Sequence, residues 1–286
     1  MKKITLVTDT NASSPAEIVQ KYNIIEVPIH IQFGDKSFTT GVDIDDKSLF
    51  ELVEERHIWP STAAPSPNAF ANAYQQALDA GADQIICICC SSEVSATYQA
   101  AQMGMSELPG VDITVVDSKN LSLAEGFQVL TAAEAIAYGA NKDEVIRLVE
   151  DIQSRIHVFG ALPTLKYLAM SGRMGRLAAG IGETMNIKPI LASRNGKLEL
   201  LEKIRTWGKA KQRLVDLGIQ SAVGKRIEKV GLIHVNNENG IGELYEMLRA
   251  ALSIEMDPIV SEFTPGLSVH TGSGVIAFVL VTAKVK

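Results

Sequence analysis

The stretch CCSSEVSATYQAA, residues 89–101, joins a buried strand to a helix, and the fold of the first half of the chain is built around it. The apolar run before the turn, QIICICC at 84–90, is too short for a helix and lacks a helical period, so it predicts an interior strand. Ser95 and Thr97 stand where the next helix begins. Because unpaired N–H groups and the positive end of a helix dipole then point beyond the strand, an anion is favoured there.

Strands and helices alternate over the first 155 residues. Such a βα succession predicts a largely parallel sheet with helices on both faces, and hence an N-terminal α/β/α domain over residues 1–157. Besides residues 84–90, strands are predicted at 4–7, 24–33 and 111–117. A first helix is predicted to open at 13–17, and further helices are predicted at 45–56, 66–80, 96–107, 122–138 and 141–155.

The pattern changes at about Val158, where hairpin-like strands begin to appear. The turn Arg194-Asn195-Gly196 joins two of them, because Asn-Gly is a favoured hairpin turn. The second half therefore predicts an α+β domain with a mixed sheet over residues 158–286, and SGRMGRLAAGIGETM at 171–185 reads as a loop. The predicted strands are 158–162, 188–193, 198–206, 230–235, 259–263 and 275–282, and the predicted helices are 163–169, 207–222 and 240–252.

The composition is that of a soluble globular protein. The chain has 286 residues, 46% hydrophobic and 21% charged, which is enough for a large core and for two domains. The start, MKKITLVTDT, has too short an apolar stretch for a signal peptide, and the longest apolar run of seven residues falls far short of the roughly 20 that a membrane crossing needs. We therefore expect a cytoplasmic protein.

The distribution of charge and the spacing of the cysteines limit which macromolecules, anions and metals the chain is expected to bind. Residues 166–229 carry 14 Lys+Arg against 5 Asp+Glu in a chain of net charge −6. These cations lack interleaved aromatic residues, so nucleic acid is not expected; a solvated face, an acidic protein partner or a phosphate group remain open. The three cysteines between Cys87 and Cys90 alternate along a strand, so we expect small buried hydrophobic side chains and no metal site.

Four predicted loop stretches place polar or glycine residues just beyond predicted strands: VTDTN at 7–11, STAAPSP at 61–67, SSEVSAT at 91–97 and TPGLSVHTGSG at 264–274. Ligands of open parallel sheets bind at the carboxyl ends of the strands, so the first three should meet at one edge. With SGRMG at 171–175, these stretches resemble the DegV family, the fatty-acid-binding proteins of bacterial fatty acid kinase. The resemblance extends over nearly the whole chain and depends on the order of the motifs.

The resemblance implies a protein that holds one long-chain fatty acid, with its tail in an apolar tunnel and its carboxylate near the domain junction. The family's carboxylate-binding hydroxyls correspond to Thr62 and Ser95, and its histidine to His270. Ala96 stands where the family usually has glycine but keeps its backbone N–H, so the carboxylate site should be retained. Supporting positions, by the same resemblance, are Asp9, Ala63, Thr271 and Gly272.

The resemblance also implies that the chain is not itself an enzyme and needs no cofactor. It lacks both G-x-x-x-x-G-K-[ST] and G-x-G-x-x-G, so phosphoryl transfer should come from a separate ATP-dependent fatty acid kinase, which makes acyl phosphate for phospholipid synthesis. The family's loop arginine corresponds to Arg173, and Arg176 is a second candidate contact with the kinase. Transient contact with a membrane surface is a further expectation.

Other interpretations stay open for the same residues. A serine hydrolase of acyl esters or thioesters would use Ser95 as nucleophile and His270 as base, although the turn is not the G-x-S-x-G elbow. A lipid sensor or scaffold would act through the basic middle segment. Ser95 is also a plausible helix N-cap, Thr62 a cap of the turn before Pro65, and Asp9 a cap at the end of a strand.

Overall fold

The computed structural model describes residues 2–173 and 187–284, which form an α/β structure with helices packed on its sheets. Thirteen strands lie in the described residues: β1 (Ile4–Asp9), β2 (Ile25–Val27), β3 (His30–Phe33), β4 (Lys36–Thr39), β5 (Ser61–Ala63), β6 (Gln84–Cys89), β7 (Ile113–Asp117), β8 (Ile156–Ala161), β9 (Lys188–Arg194), β10 (Lys197–Ile204), β11 (Ile227–His234), β12 (Ile259–Glu262) and β13 (Ile276–Thr282).

The helices of the same residues follow the predicted order with one addition near the end. They are α1 (Ala16–Lys21), α2 (Asp46–Arg56), α3 (Pro67–Asp79), α4 (Thr97–Ser106), α5 (Leu123–Ala137), α6 (Lys142–Gln153), α7 (Lys166–Met170), α8 (Trp207–Ala222), α9 (Glu238–Leu252) and α10 (Pro265–Thr271).

The first sheet, called the parallel sheet here, has the strand order β2-β1-β6-β7 with every pair parallel. Strand β6 lies inside it and is buried along its whole length. Alternate side chains explain why: Cys87 packs with helices α3 and α4 on one face, and Ile86 packs with α5 and α6 on the other. The predicted α/β arrangement is confirmed, and the three cysteines are buried.

The second sheet, called the mixed sheet, has the order β10-β9-β8-β13-β11-β12, with only the β11–β12 pair parallel among its described strands. Helices α8 and α9 pack on one face. Helix α5 packs on the other, where a Cβ at Gly231 would lie 3.1 Å from Leu123 and 3.2 Å from Phe127. Because α5 contacts both sheets, it is buried on nearly all sides, and its polar residues Glu125 and Gln128 are buried with it.

Residues 24–33 do not form the single strand that their alternation predicts. Strand β2 joins the parallel sheet, whereas β3 is the middle strand of a small antiparallel sheet of order β4-β3-β5. Pro28 separates the two strands because it has no N–H for a ladder, and the next amide, Ile29 N, donates to Thr10 Oγ1 at 3.0 Å. The prediction of a loop at STAAPSP was also wrong for its first three residues, because Ser61–Ala63 is strand β5 of this small sheet.

The prediction that residues 264–274 form a loop is wrong. Helix α10 begins at Pro265, a residue suited to a first helical turn, and Gly266 fits there because a Cβ would lie 3.0 Å from Ile29. Val269 packs with Ile31 and Leu49 of the first half. Helix α10 therefore lies against the small sheet and α2, although in the chain it lies between strands β12 and β13 of the mixed sheet.

The boundary between the predicted domains at residues 157 and 158 stays a prediction. Strand β8, the first of the mixed sheet, begins at Ile156. Most of the predicted loop 171–185, including Arg176, lies outside the described residues. Within residues 2–173 and 187–284, no helix is both long and apolar enough to cross a membrane.

Candidate functional site

A cavity of about 330 Å³ lies between the mixed sheet and the loops at one edge of the parallel sheet. This volume falls within the range of about 300–1,000 Å³ that is usual for small-molecule sites. The lining is mostly apolar and comes from both halves of the chain; among its members are Ile29, Val94, Leu121, Val158, Leu162, Leu168, Leu191, Leu198, Phe263, Leu267, Val275 and Ala277. A long apolar molecule would find few polar groups to desolvate along these walls.

A hydroxyl and an imidazole meet at the wall of this cavity. Thr62 Oγ1 lies 3.0 Å from His270 Nε2, and both residues line the cavity. Strand β5 supplies Thr62, and the last turn of α10 supplies His270. The packing of α10 against the small sheet therefore brings together two residues that lie 208 positions apart.

His270 is a neutral imidazole at neutral pH. Burial, with the positive charge of Arg173 acting in the same direction, lowers its pKa to about 3. Its Nδ1 is buried and has no hydrogen-bond partner among the described residues. When Thr62 donates to Nε2, the ring proton is on Nδ1 and is free to bind an acceptor in the cavity; the other tautomer frees the Thr62 hydroxyl proton instead.

Ser95 and Ala96 line the same cavity at the start of α4. Ser95 Oγ lies 2.7 Å from Thr97 Oγ1 and accepts a hydrogen bond from Thr97 N at 3.2 Å. Ala96, not Ser95, is the N-cap residue, and its side chain forms no cap hydrogen bond. The start of α4 thus presents the Ser95 hydroxyl and the helix dipole to the cavity, which favours an anion.

Arg173 is the cation at this site among the residues that line the cavity. Its Nη1 donates to the Ser171 carbonyl oxygen at 2.6 Å, which orients the guanidinium. It also borders a shallower outer pocket that includes Ser92, Glu93 and Gly172. Arg173 is therefore positioned between the apolar interior and the surface, whereas the other predicted arginine, Arg176, lies outside the described residues.

Asp9 is buried and does not line the cavity. Its Oδ1 accepts a hydrogen bond from Asn11 N at 3.0 Å, and its Oδ2 accepts one from Cys90 N at 2.9 Å. The Asp9 carboxylate therefore connects two segments whose residues Asn11 and Cys90 line the cavity. Burial raises the pKa of Asp9 to about 6, although these hydrogen bonds oppose the shift. Glu125 is fully buried beside it, and its Oε2 has no hydrogen-bond partner among the described residues.

The remaining supporting positions differ in what they contact. Thr271 lines the cavity, and its Oγ1 donates to the Ser268 carbonyl oxygen at 3.4 Å. Ala63 is paired with His30 in the small sheet and does not line the cavity. Gly272 ends α10 with φ +80°, and a side chain there would overlap the ring of Tyr167.

The sequence motifs did not predict the aromatic contacts that hold α10 in place. Trp59 stacks on Tyr167 with ring centroids 3.9 Å apart and planes 13° apart, and Trp59 Nε1 donates to the Val269 carbonyl oxygen at 3.0 Å. Ser268 also donates to the buried Asp46 carboxylate. The sequence contains no signal for these pairs, because Trp59 and Tyr167 lie in unrelated segments.

The geometry gives no support to the hydrolase interpretation. In the part of the chain that the structure describes, Ser95 hydrogen-bonds to Thr97 and the ring of His270 to Thr62, with no hydrogen bond between Ser95 and His270. A base with a pKa of about 3 is also poorly matched to deprotonating a serine near neutral pH.

Comparison with known proteins gives consistent matches over nearly the whole chain. The model of a family described as uncharacterised proteins of the DegV family matches residues 3–283. A DegV domain-containing protein of Caldanaerobacter subterraneus subsp. tengcongensis is 32% identical over 272 residues, which is 95% of this chain and 96% of that protein.

Two solved structures share the fold. A fatty-acid-binding DegV family protein from Thermus thermophilus superposes with a TM-score of 0.92 at 29% identity, over 99% of this chain and 100% of that one. DegV, a fatty acid binding protein from Bacillus subtilis, superposes with a TM-score of 0.89 at 28% identity, over the same shares of the two chains.

Proposed function

This chain belongs to the DegV family, and on that premise we propose that it binds one long-chain fatty acid. The carboxylate binds at Thr62, Ser95, His270 and the backbone N–H of Ala96, and the tail fills the cavity between the two predicted domains, 1–157 and 158–286. The observation that carries the proposal is the Thr62–His270 pair at the wall of an otherwise apolar cavity.

The head of the ligand requires hydrogen-bond donors. An isolated carboxylate in an apolar pocket is disfavoured by several kcal/mol unless donors surround it. The Ser95 hydroxyl is available for this purpose, together with either the Nδ1–H of His270 or the Thr62 hydroxyl, depending on which of the two donates in the Thr62–His270 hydrogen bond. A bound carboxylate would raise the pKa of His270 from its low value, because a nearby negative charge favours the protonated ring.

The tail requires only apolar walls. Burying about sixteen methylenes from water is favourable by roughly 13 kcal/mol, at about 0.8 kcal/mol each. A bilayer offers the tail nearly the same gain, so transfer from membrane to protein is close to balanced. This balance suits a carrier that takes up its ligand at a membrane surface and later releases it.

The chemistry that follows belongs to a second protein. We propose that the loaded chain presents the carboxylate to a separate ATP-dependent fatty acid kinase in the cytoplasm, which forms acyl phosphate. Arg173 supports this step, because it lies between the cavity and the outer pocket and its charge would offset the charge of a transferring phosphoryl group. Arg176 is proposed as its neighbour in the same contact.

Mass spectrometry tests the ligand directly. The purified chain is denatured and extracted, and one long-chain acid per chain is expected. The delipidated chain should then bind added oleate with the same stoichiometry. A chain that carries no lipid and ignores oleate would disprove the binding proposal, whereas oleate binding without phosphorylation by any fatty acid kinase would contradict only the kinase step.

A further inference from the structure

One histidine and two glutamates converge at the far edge of the mixed sheet, on residues that the fatty-acid proposal does not use. His234 is the last residue of β11 and Glu262 the last of β12, and the two strands pair in parallel with these residues in register. Glu238 is the first residue of α9, which follows β11 after a short turn. All three therefore lie at the carboxyl ends of the parallel strand pair, where open sheets commonly bind ligands.

The ligand atoms of these three side chains lie within 4.8 Å of one another, and this is the one such group of three among residues 2–173 and 187–284. His234 Nδ1 is 3.5 Å from Glu262 Oε1. That distance is longer than a normal N–H···O hydrogen bond of about 2.7–3.2 Å. It matches the separation of about 3.4 Å expected for two ligands bound tetrahedrally to one ion at about 2.1 Å each.

The charges of the group are not otherwise balanced in the described part of the chain. No lysine or arginine there forms an ion pair with Glu238 or Glu262. A divalent cation would neutralise the two glutamates.

We propose that His234, Glu238 and Glu262 bind a divalent transition-metal ion. Imidazole and carboxylate together suit ions such as Zn²⁺ and Mn²⁺, and three protein ligands leave a position for water. His234 is only 6% exposed, and its Nδ1 accepts a long hydrogen bond of 3.5 Å from Asn237 N, which an ion bound at Nδ1 would replace. A bound ion would join β11, β12 and α9, and Phe263, the residue after Glu262, lines the cavity.

Isothermal titration with ZnCl₂ tests the site on the full chain after treatment with EDTA and desalting. One ion per chain is expected. Glu238→Gln and Glu262→Gln should each weaken binding at least tenfold, and both residues are exposed, so these variants should fold even if His234→Ala does not. Glu246→Gln, an exposed glutamate on α9 outside the group, is the matched control and should bind as the unaltered chain does.

Two results would overturn the proposal. The first is no zinc or manganese binding by the unaltered chain at micromolar concentrations. The second is binding that Glu238→Gln and Glu262→Gln leave within a factor of two of the control, since the ion would then lie elsewhere. Both measurements are made without lipid, so neither depends on the fatty-acid proposal.

Discussion

Thr62 Oγ1 and His270 Nε2 lie 3.0 Å apart across the contact between the small sheet and α10. Trp59 and Asp46 hold the same helix through Val269 and Ser268. The position of His270 in the cavity therefore depends on contacts from the first half of the chain, although the residue itself lies near the end of the sequence.

Replacing Thr62 by alanine should weaken fatty-acid binding. Loss of one hydroxyl leaves the carboxylate and the His270 ring short of a partner, which costs roughly 1–3 kcal/mol, or about 5- to 150-fold in dissociation constant. Oleate titration measures the change. Thr62→Ser keeps the hydroxyl and should restore most of the affinity; equal losses in the two variants would point to packing instead.

Replacing Ser95 by alanine should weaken oleate binding by a similar roughly 1–3 kcal/mol, because the start of α4 loses a donor to the anion. The same variant separates the carrier from the hydrolase. We expect no turnover of a nitrophenyl acyl ester by the unaltered chain. Turnover that Ser95→Ala abolishes would instead establish Ser95 as a nucleophile.

Replacing Gly272 by alanine should destabilise the fold by more than about 1 kcal/mol, because φ is +80° and the new methyl overlaps the Tyr167 ring. Urea denaturation measures the loss. The matched control is Gly242→Ala in α9, where a Cβ meets nothing within 4 Å. That change should be neutral or stabilising by about 0.5–1 kcal/mol, since alanine favours helices. A Gly272→Ala variant as stable as the control would contradict the close contact.

Replacing Glu125 by glutamine should flatten the pH dependence of stability. Burial, and then the charge of Asp9, raises the pKa of Glu125 well above its ordinary value, so the folded chain keeps a proton that the unfolded chain releases. Stability is therefore lost as the pH rises above the unfolded pKa of about 4.3 toward the folded value. Glutamine cannot ionise and removes this loss.

Urea denaturation at pH 5 and pH 8 measures the effect of Glu125→Gln. The unaltered chain should lose stability between these two values, and the variant should lose less. Glu107→Gln, at an exposed position after α4, should follow the unaltered chain. Equal losses in the unaltered chain and Glu125→Gln would show that Glu125 does not hold the extra proton.

Local pattern was sufficient for most strands of the parallel and mixed sheets and for most helices, but not for the small antiparallel sheet. The run at 84–90 predicts β6 because a strand covered on both faces must be apolar throughout, and helix α8 matches its predicted limits of 207 and 222. Residues 24–33 show where pattern fails. The alternation of apolar and polar residues indicates that one face of a strand is buried, but it does not indicate which sheet the strand joins. The sequence therefore did not predict the division at Pro28 into β2 and β3.

The candidate site divides in the same way. Motif order predicted that Thr62, Ser95 and His270 belong to one site, because hydroxyls, glycines and a histidine at these positions characterise a family, and all three line the cavity. Only the tertiary structure determined which atoms contact one another. The neutral His270 ring, its unpartnered Nδ1 and the Trp59–Tyr167 stack each depend on burial or on contacts between distant segments. Burial and long-range contact are properties of the folded chain, whereas periodicity and motif order are readable along one segment at a time.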